Sequence, residues 1–86
     1  MNSQKNLMSF SHFLLRAKYL KLYRDILRTI KKVPSLESRA ELKQWVRTDF
    51  ETYRNISDEA LAKYHLSRGK AFHEKLLLSI SLSKGS

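Results

Sequence analysis

Only one proline and two glycines interrupt this chain of 86 residues, and that scarcity constrains the fold more than any other feature. Gly and Pro mark most turns, and a sheet needs a turn between every pair of strands. We therefore expect a few long helices and no sheet. A chain of this length forms one small domain, which buries roughly two-thirds of its extended-chain surface and is marginal alone. A ligand or partner that completes the core would add to its stability.

Capping residues and apolar spacing predict where the helices lie. The first begins near Ser9 or Ser11 and runs to about Lys32, because proline disfavours helical backbone in the residue before it, here Val33 before Pro34. This helix is more apolar than a simple surface helix. One apolar arc comprises Phe10, Phe13, Leu14, Ala17 and Leu20. A second comprises Tyr19, Leu22, Tyr23, Ile26, Leu27, Ile30 and Val33. We expect it to contact more than the two other helices.

The remaining signals predict two further helices. Ser38 and Glu41 match a capping box that opens the second helix. Its single apolar face comprises Leu42, Trp45, Val46, Phe50 and Tyr53. Ser57 can cap the third helix, which runs to about Ser81. Its apolar side comprises Leu61, His65, Phe72, Leu76 and Ile80. The predicted fold is an all-α, antiparallel three-helix bundle over residues 9–83, with a flexible N-terminus (1–8) and a C-terminal tail (84–86).

Composition narrows the classes of function. The 17 Lys and Arg residues against 8 Asp and Glu give a formal charge of +9, which favours anionic partners: nucleic acid, anionic lipid or an acidic protein. The start of the chain is basic and lacks acid before Asp25, as mitochondrial import prefers. The absence of cysteine excludes disulfides and thiolate chemistry. The histidines are scattered and no Gly-rich phosphate loop is present, so we expect no metal site and no enzyme.

A combination of motifs resembles a known family. Leu22-Tyr23-Arg24 lies in the first helix, Pro34 closes that helix, and the second contains "WVRTDF", ending at Phe50. This pattern, with the matching length, resembles the LYR-motif family of small mitochondrial proteins from Phe10 to Lys84. One departure is Glu51, which follows Phe50 where family members often have a basic residue.

The resemblance implies a three-helix bundle in the mitochondrial matrix that binds the mitochondrial acyl carrier protein. The acyl-4′-phosphopantetheine of the carrier would enter the bundle, and the protein would have no cofactor of its own. Contacts with the acidic carrier are implied for Leu22, Tyr23, Arg24, Arg28, Arg47 and Arg54. The acyl tunnel is implied for Leu20, Leu27, Phe50 and Phe72. We also expect Gly69, in the middle of the third helix, to make room for the chain or for a close approach of two helices. The implied role is assembly of respiratory complex I, including attachment of its NADH-oxidising module, without stable membrane insertion.

Two other readings remain open from the residues alone. A basic helical module that binds nucleic acid fits the net charge, although the cations are spread over all three helices and no compact recognition helix is evident. A membrane-surface protein fits the basic, apolar first helix. The apolar faces of the other two helices instead require a shared core. The membrane-surface hypothesis therefore ranks below carrier binding and nucleic-acid binding.

Overall fold

The computed structural model describes the backbone of residues 2–85 and the side chains of residues 10–84. Its three helices are α1 (Asn2–Ile30), α2 (Leu36–Arg54) and α3 (Glu59–Gly85), and the described residues contain no strand. The predicted all-α three-helix bundle is thus confirmed. α1 begins at Asn2, earlier than either predicted start. The side chain of Ser9, one of the two predicted caps, lies outside the described residues.

Two apolar clusters hold the bundle together along its length. The first comprises Leu15, Tyr19, Tyr53, Ala62 and Leu66. The second comprises Ile26, Ile30, Val46, Leu76 and Ile80. Residue numbers rise together along α1 and α3 from the first cluster to the second, whereas those of α2 fall. α1 and α3 therefore run in the same direction, and α2 runs opposite to both.

The buried face of α1 differs from one of its predicted arcs. Phe10, Phe13, Leu14 and Ala17 are exposed, and the buried positions start at Leu15. The reason is orientation: at about 100° per residue, these four residues lie on the side of α1 opposite to Leu15 and Tyr19, which face the first core cluster.

The start of α2 corrects the predicted capping box. The cap is Ser35, whose side chain accepts a hydrogen bond from the Ser38 backbone N–H at 3.1 Å. Ser38 is therefore inside the first turn, and α2 begins at Leu36. The turn before it is fixed by Arg39, whose Nε donates to the Val33 carbonyl at 2.6 Å. Both serines suit a helix start, and this turn places the earlier one at the cap.

The start of α3 also shifts, from a hydroxyl cap to a carboxylate. Asp58 Oδ1, rather than Ser57, accepts from the Leu61 N–H at 3.1 Å, and a carboxylate is favoured at the positive end of a helix dipole. Leu61, predicted to be apolar-facing, is 45% exposed, and Ala62 and Leu66 fill that part of the core. The helix continues to Gly85 rather than ending near Ser81. The flexible segment 1–8 and the tail 84–86 stay predictions.

The three helices do not pack equally. α1 packs most extensively against α3 and less against α2, while the backbones of α2 and α3 approach each other at few points. Where α1 and α3 meet, a Cβ built on Gly69 would lie 2.8 Å from Leu22 Cδ2, closer than side chains tolerate. Glycine thus permits the close approach of these two helices. α2 rests on the α1–α3 pair and leaves space on either side.

Candidate functional site

A basic groove lies between α1 and α2, with a volume of about 430 Å³. It is lined by Tyr23, Arg24, Leu27, Arg28 and Lys31 from α1 and by Lys43 and Arg47 from α2. The structure therefore brings Tyr23, Arg24, Arg28 and Arg47, all predicted partner-binding residues, onto one surface. Lys31 and Lys43 were missed. Their spacing could have revealed them, since Lys31 lies seven residues after Arg24 and Lys43 four before Arg47, each on the same helix face.

The charges of this basic groove are largely unneutralised. Within residues 10–84, Arg28 is the only one of the five groove cations in a salt bridge, with Asp25 at 3.6 Å. Asp25 also accepts from Lys21 Nζ at 3.0 Å. That hydrogen bond, with the nearby positive charges, holds the pKa of Asp25 below its ordinary value. Four cations facing a concave surface favour an anionic partner over solvent ions.

An inner cavity of about 30 Å³ lies between the three helices. It is lined by Tyr19, Leu22, Tyr23, Ile26, Trp45, Val46, Asp49, Arg68, Gly69 and Phe72. This volume is about that of one water molecule, so the cavity as it stands is too small for an acyl chain. Tyr23 lines both this cavity and the basic groove, which makes it the boundary between them.

A series of stacked aromatic rings packs against Tyr23. The rings of Tyr23 and Phe50 stack with centroids 4.2 Å apart, and Phe50 also stacks on Tyr19 at 5.9 Å. Tyr19 in turn stacks on Tyr53 at 3.8 Å. Phe50, a predicted tunnel residue, therefore supports two cavity-lining rings from behind. Gly69 and Phe72, also predicted for the tunnel, line the inner cavity directly.

A polar network lies beside the inner cavity. The Tyr19 hydroxyl donates a hydrogen bond to Asp49, and His65 Nδ1 lies 4.0 Å from the other oxygen of the same carboxylate. Burial raises the pKa of Tyr19, as do the hydrogen bond to Asp49 and its negative charge. The hydroxyl therefore stays protonated and holds Asp49 of α2 against α1. Sequence reasoning missed this tie, because nothing in the spacing of Tyr19, Asp49 and His65 indicates that they meet.

A second, apolar groove lies between α2 and α3, with a volume of about 640 Å³. It is lined by Val33, Pro34, Ser38, Glu41, Leu42, Trp45, Phe72, Leu76, Ser79, Ile80 and Ser83. Trp45 and Phe72 line both this groove and the inner cavity, and their ring centroids are 4.8 Å apart. The basic groove, the inner cavity and the apolar groove therefore form a series that passes beneath α2.

Four predicted site residues lie elsewhere than predicted. Leu22, predicted to contact the carrier, lines the inner cavity and not the basic groove. Leu27 lines the basic groove and packs on the second core cluster, rather than lining the inner cavity. Leu20 is half-buried and lines neither the inner cavity nor the two grooves. Arg54 is exposed near the end of α2, where it pairs with Glu51 at 3.4 Å, outside the basic groove. The roles predicted for these four residues stay predictions.

Two further classes of site have no counterpart in the described part of the chain. Its His, Asp and Glu side chains form no group of three that could hold a metal ion. None of its helices combines the length and apolar character needed to cross a membrane.

Comparison with known proteins gives one consistent result. Residues 17–74 match the family described as "Complex 1 protein (LYR family)". The chain is 34% identical over 76 residues to LYR motif-containing protein 2 of Danio rerio, covering 88% of this chain and 86% of the relative. It is 30% identical over 77 residues to the Homo sapiens protein of that name, covering 90% and 88%. No solved structure matches significantly. The chain therefore belongs to the LYR family of complex 1 proteins.

Proposed function

We propose that this protein is a non-enzymatic adaptor of the mitochondrial matrix that binds the acylated acyl carrier protein and supports assembly of respiratory complex I. One observation supports the proposal most: a groove lined by five cations adjoins, through Tyr23, a cavity between the three helices. An acidic protein that carries an apolar chain needs these two features side by side.

The basic groove provides the docking surface. An acidic carrier would be oriented by Arg24, Arg28 and Arg47, and complementary charge raises the association rate more than the final affinity. Arginine suits this role because its planar guanidinium can hold a carboxylate or a phosphate through two hydrogen bonds. The phosphate of the phosphopantetheine arm would meet the same cations.

The inner cavity provides the entrance for the acyl chain. Each methylene that leaves water for an apolar interior contributes about 0.8 kcal/mol. The cavity as it stands is too small for a chain, so binding must move Tyr23, which borders both the basic groove and the cavity, and lift α2. α2 is suited to this movement, because it has the less extensive contact with α1 and few close approaches to α3. The bound chain then supplies core that a small bundle lacks.

The role in complex I assembly is supported by the family. The matching family is described by its link to complex 1, and the relatives carry the same LYR name. The link to complex 1 supports a mitochondrial location for the adaptor. We propose that the adaptor and acylated carrier act together when the NADH-oxidising module joins. Such a role requires binding surfaces rather than reacting groups.

Binding of nucleic acid is the alternative function. The groove cations could bind the phosphates of a nucleic acid. Contacts with a phosphate backbone would not use the inner cavity or the apolar groove beneath α2. Salt dependence would not separate the two functions, because both dockings are electrostatic. Dependence on the acyl chain would separate them.

The test is purification of the tagged protein from mitochondria at moderate salt, followed by intact mass analysis of small acidic companions. We expect a carrier protein whose mass includes phosphopantetheine and a fatty acyl chain. Arg24→Glu should lose this companion and keep its helical spectrum. Lys75→Glu reverses an exposed charge of α3 outside both grooves and serves as the control. Recovery of nucleic acid alone, or equal carrier binding by both variants, would contradict the proposal.

A further inference from the structure

The apolar groove between α2 and α3 is unexplained by docking of the carrier, because it lies on the far side of α2 from the basic groove. Glu41 is the only charged side chain among the described residues that line it. Trp45 is 50% exposed at its inner end. An exposed indole beside an open apolar surface needs a reason, since both would gain stability from being covered.

The groove continues the inner cavity. Trp45 and Phe72 line both, and no other described residue does. Their rings meet at 49°, with centroids 4.8 Å apart, so this side-chain pair lies between the two spaces. From Phe72 the groove follows α3 past Leu76 to Ile80 and Ser83, about 16 Å at about 1.5 Å per residue.

We infer that this apolar groove binds the distal part of a long acyl chain, and that Trp45 and Phe72 form the gate through which the chain leaves the inner cavity. The inference rests on the proposed function, since the chain must first enter from the basic groove. A short chain ends inside the bundle. A longer one passes the gate and lies along Leu76 and Ile80, so the protein accepts long chains without a large internal cavity.

Continuity with the inner cavity favours a chain over other occupants. A second copy of this protein or an amphipathic helix would cover the groove from outside and would not need the gate. A fatty chain is narrow enough to lie between two helices, and it makes no demand for hydrogen bonds. The near absence of charge along the groove fits such an occupant.

A chain-length series tests the inference. Carrier protein bearing octanoyl, dodecanoyl or hexadecanoyl chains is titrated against the wild type and against Ser79→Phe, which places a ring in the groove. Ser81→Phe is the matched control, because Ser81 is exposed on the same helix outside the groove. Each methylene excluded from the groove should weaken binding about fourfold. Ser79→Phe should therefore weaken hexadecanoyl binding by tenfold or more, as about two lost methylenes require, and leave octanoyl binding unchanged.

The other possible results contradict either this inference or the proposed function. Equal binding of the hexadecanoyl carrier by wild type and Ser79→Phe would overturn the inference and leave carrier binding intact. A shorter-chain defect as large as the longer-chain defect would also overturn it. Wild-type affinity that does not depend on any acyl chain would instead overturn the proposed function.

A second measurement uses the unaltered protein. Trp45 is the only tryptophan in the chain, and bromine on an acyl chain quenches an indole that it touches. With a tryptophan-free carrier and a hexadecanoyl chain brominated at successive carbons, quenching should peak before the terminal carbon, because the chain end lies beyond the gate. A peak at the terminal carbon, or no quenching at any position, would overturn the inference.

Discussion

The α1–α3 interface and the α2 interface differ in how completely they close. Between α1 and α3, Ile30 is fully buried, a Cβ on Gly69 would require the Leu22 side chain to shift, and Thr29 Oγ1 lies 2.8 Å from His73 Nε2. α2 covers the core through Val46 and Tyr53 but leaves Trp45 half exposed and a groove along either edge. The difference divides the bundle into a closely packed pair, here called the fixed pair, and a less completely packed cover, α2, as the proposed admission of a chain requires.

The largest expected effect is on the fixed pair. Ile30→Ala should lower the free energy of unfolding by about 2–5 kcal/mol, because a fully buried side chain leaves a cavity in a closed interface. Leu42→Ala in α2 removes a half-buried side chain and should cost about 1–2 kcal/mol. Urea unfolding of both variants measures the difference. Equal losses would mean that α2 is packed as tightly as the other two helices.

A second comparison sets the basic groove against the end of α2. Arg47→Gln should weaken carrier binding up to about fivefold, chiefly by slowing association at low salt. Arg54→Gln should change it less, because Arg54 pairs with Glu51 outside the groove. Association rates of both variants, measured at two salt concentrations, test this difference. A matching loss in Arg54→Gln would place that residue in the interface after all.

A third change separates stability from the acyl chain. In Gly69→Ala the new methyl displaces Leu22 Cδ2 toward the inner cavity, and the cost of this shift is offset by the gain of about 1 kcal/mol in helix propensity. The free energy of unfolding should change by less than about 1 kcal/mol, whereas affinity for the acylated carrier should fall about fourfold. Adding Leu22→Val, which lacks δ carbons, should restore the affinity. A double variant no better than the single one would contradict this reading.

The smallest expected effect is on the pH dependence of stability, through the Tyr19–Asp49 hydrogen bond between α1 and α2. The raised pKa of Tyr19 keeps its hydroxyl protonated in the folded state, while the unfolded chain ionises near pH 10. Stability should therefore fall as the pH rises above about 10. Tyr19→Phe should remove part of this fall, and Tyr53, whose pKa is also raised by burial, accounts for the rest. Unfolding curves at pH 9 to 11 measure it. An identical pH slope in Tyr19→Phe would show that Tyr19 does not titrate on unfolding.

The fold could be predicted because it depends on patterns that are local in sequence. The apolar face of α2, the break at Pro34 and the scarcity of glycine each indicate helices without knowledge of their packing. The caps were less certain, since Ser35 and Ser38 carry the same hydroxyl three residues apart, and the geometry of the turn selects one.

The site could be predicted only in part, for a related reason. Arg24, Arg28 and Arg47 were predicted because the family resemblance implied contacts with the carrier, and the structure brings them together in the basic groove. The inner cavity and its gate depend on which side chains meet between helices. The position of Trp45 on the apolar face of α2 predicts a core residue. It is half exposed because α2 and α3 approach each other at few points. The spacing of residues within one helix does not indicate the distance between α2 and α3.

The most direct test of a movable α2 is amide hydrogen exchange of the protein alone and with its carrier. In the free protein, residues 43–50 of α2 should exchange faster than residues 19–30 of α1. A carrier with a long acyl chain should slow exchange in α2 far more than the same carrier with a bare phosphopantetheine arm. Equal protection of α1 and α2 in the free protein, or equal slowing by both carriers, would contradict the division into a fixed pair and a cover.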